Sequence, residues 1–338
     1  MANNTFVDAS AETVQQFLRR WLRDYVEPSL ALRTQARYRE VIEYDLVPHI
    51  GALQLQKLRP HHIIALEQRM RTSGNRRTGA GLSPAAVQKV HNVIHRAMTH
   101  AVRWQAIAVN PVDAVDRPSV PRTEIRALNP EQARLLLRVL RSHRHGLPLR
   151  VALLCGVRLS ELLALRWSDI DWNHDRLAVR QALDMPTEDG TPRFKETKTH
   201  RADRPLALPT QLVVELRDHR SRQVETRLAT EGWDDLDLIF TNDTGRPLYP
   251  LTLRKDLYDA LDEAKLPRIR LHGLRHSMAT LMLASGEHPK VVSERMGHAN
   301  VAFTLATYSH VIPGMHEGAA QRLANVLDDE GPGAPTTG

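Results

Sequence analysis

The chain has 338 residues and 42% hydrophobic content, which is enough for about two domains with packed cores and excludes a disordered protein. Its single cysteine, Cys155, excludes an intramolecular disulfide framework, and the sequence contains neither an apolar run of about 18 residues nor a signal-peptide pattern. These features predict a cytoplasmic protein with no membrane partner.

The net charge is +7, and its distribution along the chain is uneven. Residues 1–118 contain 16 Lys and Arg against 10 Asp and Glu, so they carry +6 of the total. Such an asymmetry is typical of a module that follows a phosphate backbone, although an ordinary solvated basic surface has the same composition.

The N-terminal third has the apolar spacing of four helices. Ser10 stands where an N-cap would begin the first helix, and Pro48 is expected to stop the second. The sequence therefore predicts a helical bundle with helices over about Ser10–Tyr25, Thr34–Leu46, Pro60–Met70 and Ser83–Val102.

A charged stretch with several prolines, Arg117–Arg126, is typical of an interdomain linker. Helix restarts at Asn129, and two later segments alternate like strands, Arg176–Leu183 and Arg204–Leu208, with a turn at Glu188–Gly190 between them. We therefore predict a mainly α protein with a small antiparallel β-sheet in its second domain. The predicted limits are 1–117 for the helical domain, 118–127 for the linker, 128–330 for the second domain and 331–338 for a flexible tail.

The first candidate site residues are Arg158 and Glu161, which are three positions apart. On a helix they would share a face, where the carboxylate orients the guanidinium and the guanidinium holds a phosphate oxygen through two hydrogen bonds. A surface ion pair is the alternative interpretation.

The predicted strand region supplies two candidate lysines, Lys195 and Lys198. A lysine on a hairpin is suited to protonate a departing 5′ oxygen, because a leaving alkoxide needs an acid, and a plain phosphate contact is the alternative. The residues alone do not separate Lys195 from Lys198.

The third cluster combines a tyrosine with basic side chains. His272 and Arg275 share a helical face, Gly297 ends a short helix just before His298, and Tyr308 follows. A phenol has a pKa of about 10, so its attack on phosphorus at pH 7 needs a base and cationic help, which His and Arg supply. The helical spacing of Tyr308 equally fits a core tyrosine.

His272 and His276 are also spaced like a pair of zinc ligands. The residues between them lack the Glu of a metalloprotease, and no cysteine pair assists. We therefore expect no metal.

Together the three clusters resemble a tyrosine recombinase of the phage integrase family, over about Thr13 to Leu327. Gly156–Leu162 matches the family's first arginine motif, and His272–His276 matches its His-x-x-Arg motif. The spacing onward to His298 and Tyr308 matches the family's His or Trp position and its nucleophile.

The resemblance implies a role for each matched residue. Tyr308 would be the nucleophile, forming a 3′-phosphotyrosyl link and freeing a 5′ hydroxyl. Arg158 and Arg275 would hold the two non-bridging phosphate oxygens, where negative charge builds up. His272 would accept the tyrosine's proton.

The remaining roles follow in the same way. His298 would hydrogen-bond the scissile phosphate, and Glu161 would support the arginine beside it. Lys198 would be the general acid. It is preferred to Lys195 because the pair Lys198-Thr199, followed by Arg204 and a strand, fits the Lys-Thr hairpin of the family. Residues 200–203 depart from the small polar residues that the family usually has in this hairpin.

The resemblance also implies the architecture and the partners. A four-helix (SAM-like) core-binding domain and an α+β catalytic domain would clamp double-stranded DNA, and four protomers would form a homotetramer in the synaptic complex. A host DNA-bending protein and an excisionase are further candidate partners. No cofactor, metal or ATP is needed, because exchanging a phosphodiester for a phosphotyrosine ester conserves the bond energy.

Two further segments bear on assembly. Met315–Leu327 is expected either to dock on a neighbouring subunit or to pack within its own. Only about ten residues precede the bundle, so we expect either that the chain works without the arm-site domain of many integrases or that this domain has been lost or trimmed.

The predicted function is therefore a site-specific DNA recombinase, the integrase of a phage or other mobile element. A chromosome-dimer resolvase of the same family is the close alternative. A non-catalytic DNA-binding regulator and a type IB topoisomerase are the alternatives from other classes.

Overall fold

The computed structural model of the chain describes residues 8–121, 126–184, 190–196, 204–298 and 300–308. The chain divides into two compact units, Met1–Glu124 and Ile125–Gly338. The finer limits predicted for the linker and the tail remain predictions, and the tail, like Met315–Leu327, lies outside the described residues.

The described residues of the first unit form four helical rods, two of which contain a π-helical segment where the hydrogen-bonding pattern widens by one residue. In chain order, its elements are α1 (Val14–Trp21), a π-helical segment (Leu22–Val26), α2 (Glu27–Ser29), α3 (Leu32–Val41), a second π-helical segment (Ile42–Leu46), α4 (Val47–Ile50), a 3-10 helix (Leu55–Lys57), α5 (Pro60–Ser73) and α6 (Pro84–Arg103).

Local capping signals explain where these helices begin. The side chain of Thr13 accepts a hydrogen bond from the main-chain N–H of Gln16, whose own side chain accepts from Thr13, so α1 starts at Thr13 rather than at Ser10. The predicted stop at Pro48 is wrong, because Pro48 lies in the first turn of α4, where its missing N–H has no helical partner to lose.

The core of the first unit is formed by the inward faces of the four rods. The side chains of Phe17, Trp21, Ile42, Ile94 and Met98 are fully buried in it. Burial of each large apolar side chain stabilises the fold by roughly 1.5–3 kcal/mol, so this set gives the small bundle a core of its own.

The second unit is mixed, as predicted. Its helices are α7 (Pro130–Val139), α8 (Gly146–Cys155), α9 (Leu159–Leu162), α10 (Thr210–Ala229), α11 (Pro250–Glu263), α12 (Leu271–Ala284), α13 (Pro289–Met296) and α14 (Val301–Tyr308). Its strands are β1 (Ile170–Asp171), β2 (Arg176–Val179), β3 (Gln181–Leu183), β4 (Phe194–Glu196) and β5 (Arg204–Ala207).

The strands form two small antiparallel sheets. One has the order β1-β2-β5, with Leu177 opposite Leu206, and the other pairs β3 with β4, with Ala182 opposite Lys195. The single strand expected over Arg176–Leu183 is thus broken at Arg180, and its halves belong to different sheets. Of the predicted turn at 188–190, only Gly190 lies among the described residues.

Helix α8 positions the candidate site, because it is buried along most of its length and packs closely on α12. It ends at Gly156, whose left-handed backbone (φ 66°) stops the helix without the steric cost that a Cβ would bring. Within the described part of the chain, no helix combines the length and the apolarity needed to span a bilayer.

Candidate active site

Arg158 and Glu161 are paired as predicted, but by a different geometry. Arg158 is the extended N-cap residue of α9 rather than a residue within a helix. Glu161 accepts hydrogen bonds from the main-chain N–H of Arg158 (2.8 Å) and from its Nη1 (2.7 Å). The Glu161 side chain is buried while that of Arg158 is 42% exposed, so a buried carboxylate orients a guanidinium that reaches the surface.

Arg275 lies on α12 and is only 2% exposed. Its guanidinium donates from Nη1 to the carbonyl of Gly156 (2.5 Å) and from Nη2 to the carbonyl of Met296. Glycine is favoured at position 156 because its φ of 66° is left-handed, whereas the clash of an added Cβ with Cε of Met278 (1.9 Å) can be relieved by movement of that flexible side chain.

The end of α13 brings the two arginines together. Gly297 is left-handed (φ 62°) and ends the helix, and its carbonyl accepts a hydrogen bond from Nη2 of Arg158 (3.2 Å). The preceding carbonyl, that of Met296, accepts from Arg275. Two consecutive carbonyls therefore hold the two guanidinium groups side by side, an arrangement suited to an anion with two equivalent oxygens.

His298 directly follows this turn. The ring is half-buried, and its Nδ1 lies 2.8 Å from Oγ1 of Thr304. The turn thus carries one histidine and orients both arginines, so three of the predicted site residues lie around it.

Tyr308 is fully buried in a small apolar cluster that includes Met278, Leu283 and Met296. Its hydroxyl lies 2.5 Å from Nδ1 of His276. The apolar packing expected of a core tyrosine and the contact with the basic cluster are therefore both present.

His276 is a residue of the site to which the sequence predictions gave no role. The sequence indicates only a zinc-ligand spacing for it with His272, whose ring lies edge-on against that of His276 at 4.5 Å between centroids. Its position directly after Arg275 was the available signal. Among the described residues, no group of three or more His, Cys, Asp and Glu side chains is arranged to hold a metal ion.

The electrostatics of the pair keep both groups neutral at pH 7. Burial raises the pKa of Tyr308 to about 12, against a smaller opposing effect of Arg275. Burial, followed by the neighbouring His272 and Arg275, lowers the pKa of His276 to about 4. Since the pKa of the phenol is raised and that of the imidazole is lowered, the proton stays on Tyr308 in this contact, and a neutral phenol is a weak nucleophile.

His272 is on the exposed side of the site. Burial lowers the pKa of His272, and the positive charges of Arg275 and Arg158 lower it further. The imidazole is therefore neutral at pH 7 and able to accept a proton.

The structure describes only one of the two candidate lysines. Lys198 lies outside the described residues, so its assignment remains a prediction. Lys195 is on β4, is exposed, and has its Nζ 3.4 Å from a carboxylate oxygen of Asp184.

Comparison with protein families identifies the class to which this fold and site belong. Residues 126–314 match the phage integrase family, and residues 13–70 match the N-terminal SAM-like domain of phage integrases. The first match covers more than half of the chain, and the chain belongs to the phage integrase family. It is a tyrosine recombinase, an enzyme that transfers DNA strands.

Curated relatives are similar over most of their length. A XerC-like tyrosine recombinase of Caldanaerobacter subterraneus subsp. tengcongensis is 26% identical over 96% of this chain and 86% of its own. An integrase of Saccharopolyspora erythraea is 26% identical over 92% of this chain and 82% of its own. The ICEBs1 integrase of Bacillus subtilis is 27% identical over 73% of this chain and 67% of its own.

Solved structures share the fold. The Tn1549 transposon integrase in complex with a circular intermediate DNA has a TM-score of 0.75 and 18% identity, over 93% of this chain and 99% of that one. A lambda integrase dimer bound to a COC' core site has a TM-score of 0.61 and 17% identity, over 86% of this chain and 97% of that one.

Proposed function

We propose that this recombinase is the integrase of a phage or another mobile element, acting on double-stranded DNA through a 3′-phosphotyrosyl intermediate. The observation that supports this most directly is the pair of guanidinium groups held by the carbonyls of Met296 and Gly297, which precede Tyr308 by 12 and 11 residues. Two fixed cations beside a latent nucleophile suit a phosphodiester better than any other common substrate.

In the proposed reaction, Arg158 and Arg275 each bind a non-bridging oxygen of the scissile phosphate. The Tyr308 oxygen attacks phosphorus, a new O–P bond forms, and the bond from phosphorus to the 5′ oxygen breaks. The phenol proton passes to His272, and Lys198 protonates the departing 5′ oxygen. Religation runs the same steps backwards, so neither ATP nor a metal is consumed.

The contact between Tyr308 and His276 has to open before this attack. The tyrosine is fully buried, and its hydroxyl faces His276 rather than an open surface. We infer that the described arrangement is a resting state, in which His276 holds the neutral hydroxyl until bound DNA changes the packing of α14. His272, which is exposed beside both arginines, then becomes the base.

The proposed partners are DNA and further copies of the chain. A lambda integrase has been solved as a dimer on a core site and as a tetramer on a Holliday junction, and the Tn1549 integrase has been solved with transposon-end DNA. We propose a homotetramer on two duplexes, with a host DNA-bending protein or an excisionase as further partners. Action in the cytoplasm is part of the same proposal.

Covalent capture tests the proposal. The protein is incubated with a pool of nicked duplexes that contain a randomised segment, and denaturation-resistant adducts are isolated and sequenced. We expect adducts with a common sequence from the wild type and none from Tyr308→Phe. Tyr249→Phe is the matched control, because Tyr249 is 67% exposed at the start of α11 and should leave adduct formation unchanged.

The outcomes separate the alternatives. Adducts without any common sequence, with relaxation of every supercoiled plasmid, would indicate a topoisomerase. Stable binding without an adduct would indicate a DNA-binding regulator. An adduct that survives Tyr308→Phe would assign the nucleophile to another residue.

A second experiment tests the general acid. A substrate with a 5′-bridging phosphorothiolate has a better leaving group, so it should restore cleavage by Lys198→Ala. The same substitution at Lys195, which is already close to Asp184, should have little effect on either substrate. A defect in Lys195→Ala that the modified substrate rescues would transfer the role to Lys195.

The chromosome-dimer resolvase is the second candidate, since one relative is named XerC-like. The recovered site distinguishes the two functions. Ends of a mobile element would support integration, and a single chromosomal site near the replication terminus would support dimer resolution.

A further inference from the structure

The backbone of His298 is fixed by the end of α13. Its N–H donates to the carbonyl of Ser293 (3.0 Å), and the N–H of Gly297 donates to the carbonyl of Glu294 (2.9 Å), which is the double closure of a helix that ends in a left-handed glycine. The start of the side chain is therefore set by the helix, and only the rotation of the ring is left to other contacts.

Thr304 supplies the contact that fixes the ring. Oγ1 of Thr304 lies 2.8 Å from Nδ1 of His298, and Thr304 is fully buried in the first turns of α14. The ring of Phe303 stands edge-on to the imidazole, with 5.0 Å between centroids and 89° between planes. Two consecutive residues of α14 thus set the tilt of the histidine.

The direction of the hydrogen bond at Nδ1 determines where a neutral ring carries its proton, because the Thr304 hydroxyl can donate to Nδ1 or accept from it. A neutral imidazole has one N–H, and the partner of one nitrogen selects the state of the other. A hydroxyl that donates into Nδ1 leaves the hydrogen on Nε2, and the ring is then a hydrogen-bond donor at Nε2 without having to be protonated.

We propose that Thr304 is a positioning residue for the strand-transfer reaction. It orients His298 and selects the Nε2–H form, which makes a neutral histidine a donor to a phosphate oxygen. This inference rests on the proposed function of His298 as a phosphate contact. The residue that it names acts through His298 and does not itself touch the substrate.

The placement of Thr304 connects two parts of the site. Thr304 and Tyr308 are four residues apart on α14, so they lie on the same side of the helix, one turn apart. A movement of α14 that releases the tyrosine from His276 therefore also shifts the group that orients His298.

Nitrogen-15 NMR of the histidine side chains of the DNA-free wild type tests the proposal directly. Assignment by comparison with His298→Trp identifies the resonances of His298, and their long-range couplings show which nitrogen carries the hydrogen. We expect Nε2–H in the wild type and a mixture of both forms in Thr304→Val. An Nδ1–H form in the wild type would overturn the proposal, whatever the activity of the protein.

Single-turnover cleavage of the captured site gives the functional test. Thr304→Val should slow adduct formation about 10- to 100-fold, the range found when a partner that orients a metal-binding histidine is removed, while the Kd for DNA stays nearly constant. Thr304→Ser should restore the rate. Thr307→Val is the matched control, since the Thr307 hydroxyl on the same helix donates to the carbonyl of Phe303 instead (2.7 Å).

A double substitution separates positioning from a packing role. An indole has a fixed N–H and no second tautomer, so Thr304→Val should have little effect in a His298→Trp background. An equal loss of rate in that background would mean that Thr304 only packs. Failure of the wild type to form any adduct would refute the proposed function instead, and the NMR measurement would still decide the tautomer.

Discussion

Acid should destabilise the second unit through His276. The imidazole has an ordinary pKa of 6.5, and burial lowers it to about 4 in the folded chain. Because the folded pKa is the lower one, the unfolded chain binds the proton first as the pH falls. The stability that comes from keeping this ring neutral is fully present above pH 6.5 and decreases from there towards pH 4.

The size of the effect follows from the two pKa values. Proton linkage predicts that the free energy of unfolding falls by about 2 kcal/mol between pH 7.5 and pH 5. Because the ring is only half-buried, solvent screening reduces the expected loss to about 1 kcal/mol. The raised pKa of Tyr308 acts in a different window. Its contribution is complete below pH 10 and is lost only as the pH rises towards 12, so it does not enter the comparison.

The measurement is urea-dependent hydrogen exchange of α12 amides, which reports unfolding of the second unit separately from the first. His276→Asn places an amide near the position of Nδ1, and an amide does not titrate. The free energy of unfolding of this variant should therefore fall by about 1 kcal/mol less than that of the wild type between pH 7.5 and pH 5. His288→Asn is the control, because His288 is an exposed N-cap residue and Asn is also a good N-cap. Equal losses in the wild type and His276→Asn would refute the reasoning.

Three further predictions concern other contacts. Gly156→Ala should destabilise the protein by about 1–3 kcal/mol in thermal unfolding, chiefly because it places a Cβ on a residue with a positive φ, and Met278→Ala should recover little of this loss because Cε of Met278 can move aside; full recovery would argue against backbone strain. Glu161→Gln should slow single-turnover cleavage about 10-fold with little change in Tm, because it weakens the hold on Arg158; an unchanged rate would contradict this role. Thr13→Ala should cost about 1 kcal/mol in urea unfolding through the loss of a capping box, and a change in cleavage rate would be unexpected.

Features that depend on nearby residues could be predicted from the sequence. The starts of α5, α6 and α7 were found because Pro60, Ser83 and Asn129 are local signals whose effect needs no distant partner. The wrongly predicted start of α1 also depends on nearby residues. Thr13 was the better cap than Ser10 because Gln16 stands three residues after it, and this spacing was visible in the sequence.

The geometry of the candidate site could not be predicted in the same way. The partners of Arg275 are carbonyls of residues 119 and 21 positions away, and a sequence shows side chains but not the direction of a carbonyl. The contact of His276 with Tyr308 likewise depends on how α12 and α14 pack. The residue types were readable as a motif, whereas the hydrogen bonds that connect them are products of the tertiary fold.

The use of carbonyls to hold the arginines has a consequence for how the sequence can change over time. Every residue type provides a carbonyl, so position 296 keeps its contact with Arg275 whichever side chain it carries, provided that α13 still ends at a left-handed residue. The contact with Arg275 therefore sets no requirement on the side chain at position 296, which is constrained instead by its packing in the apolar cluster around Tyr308.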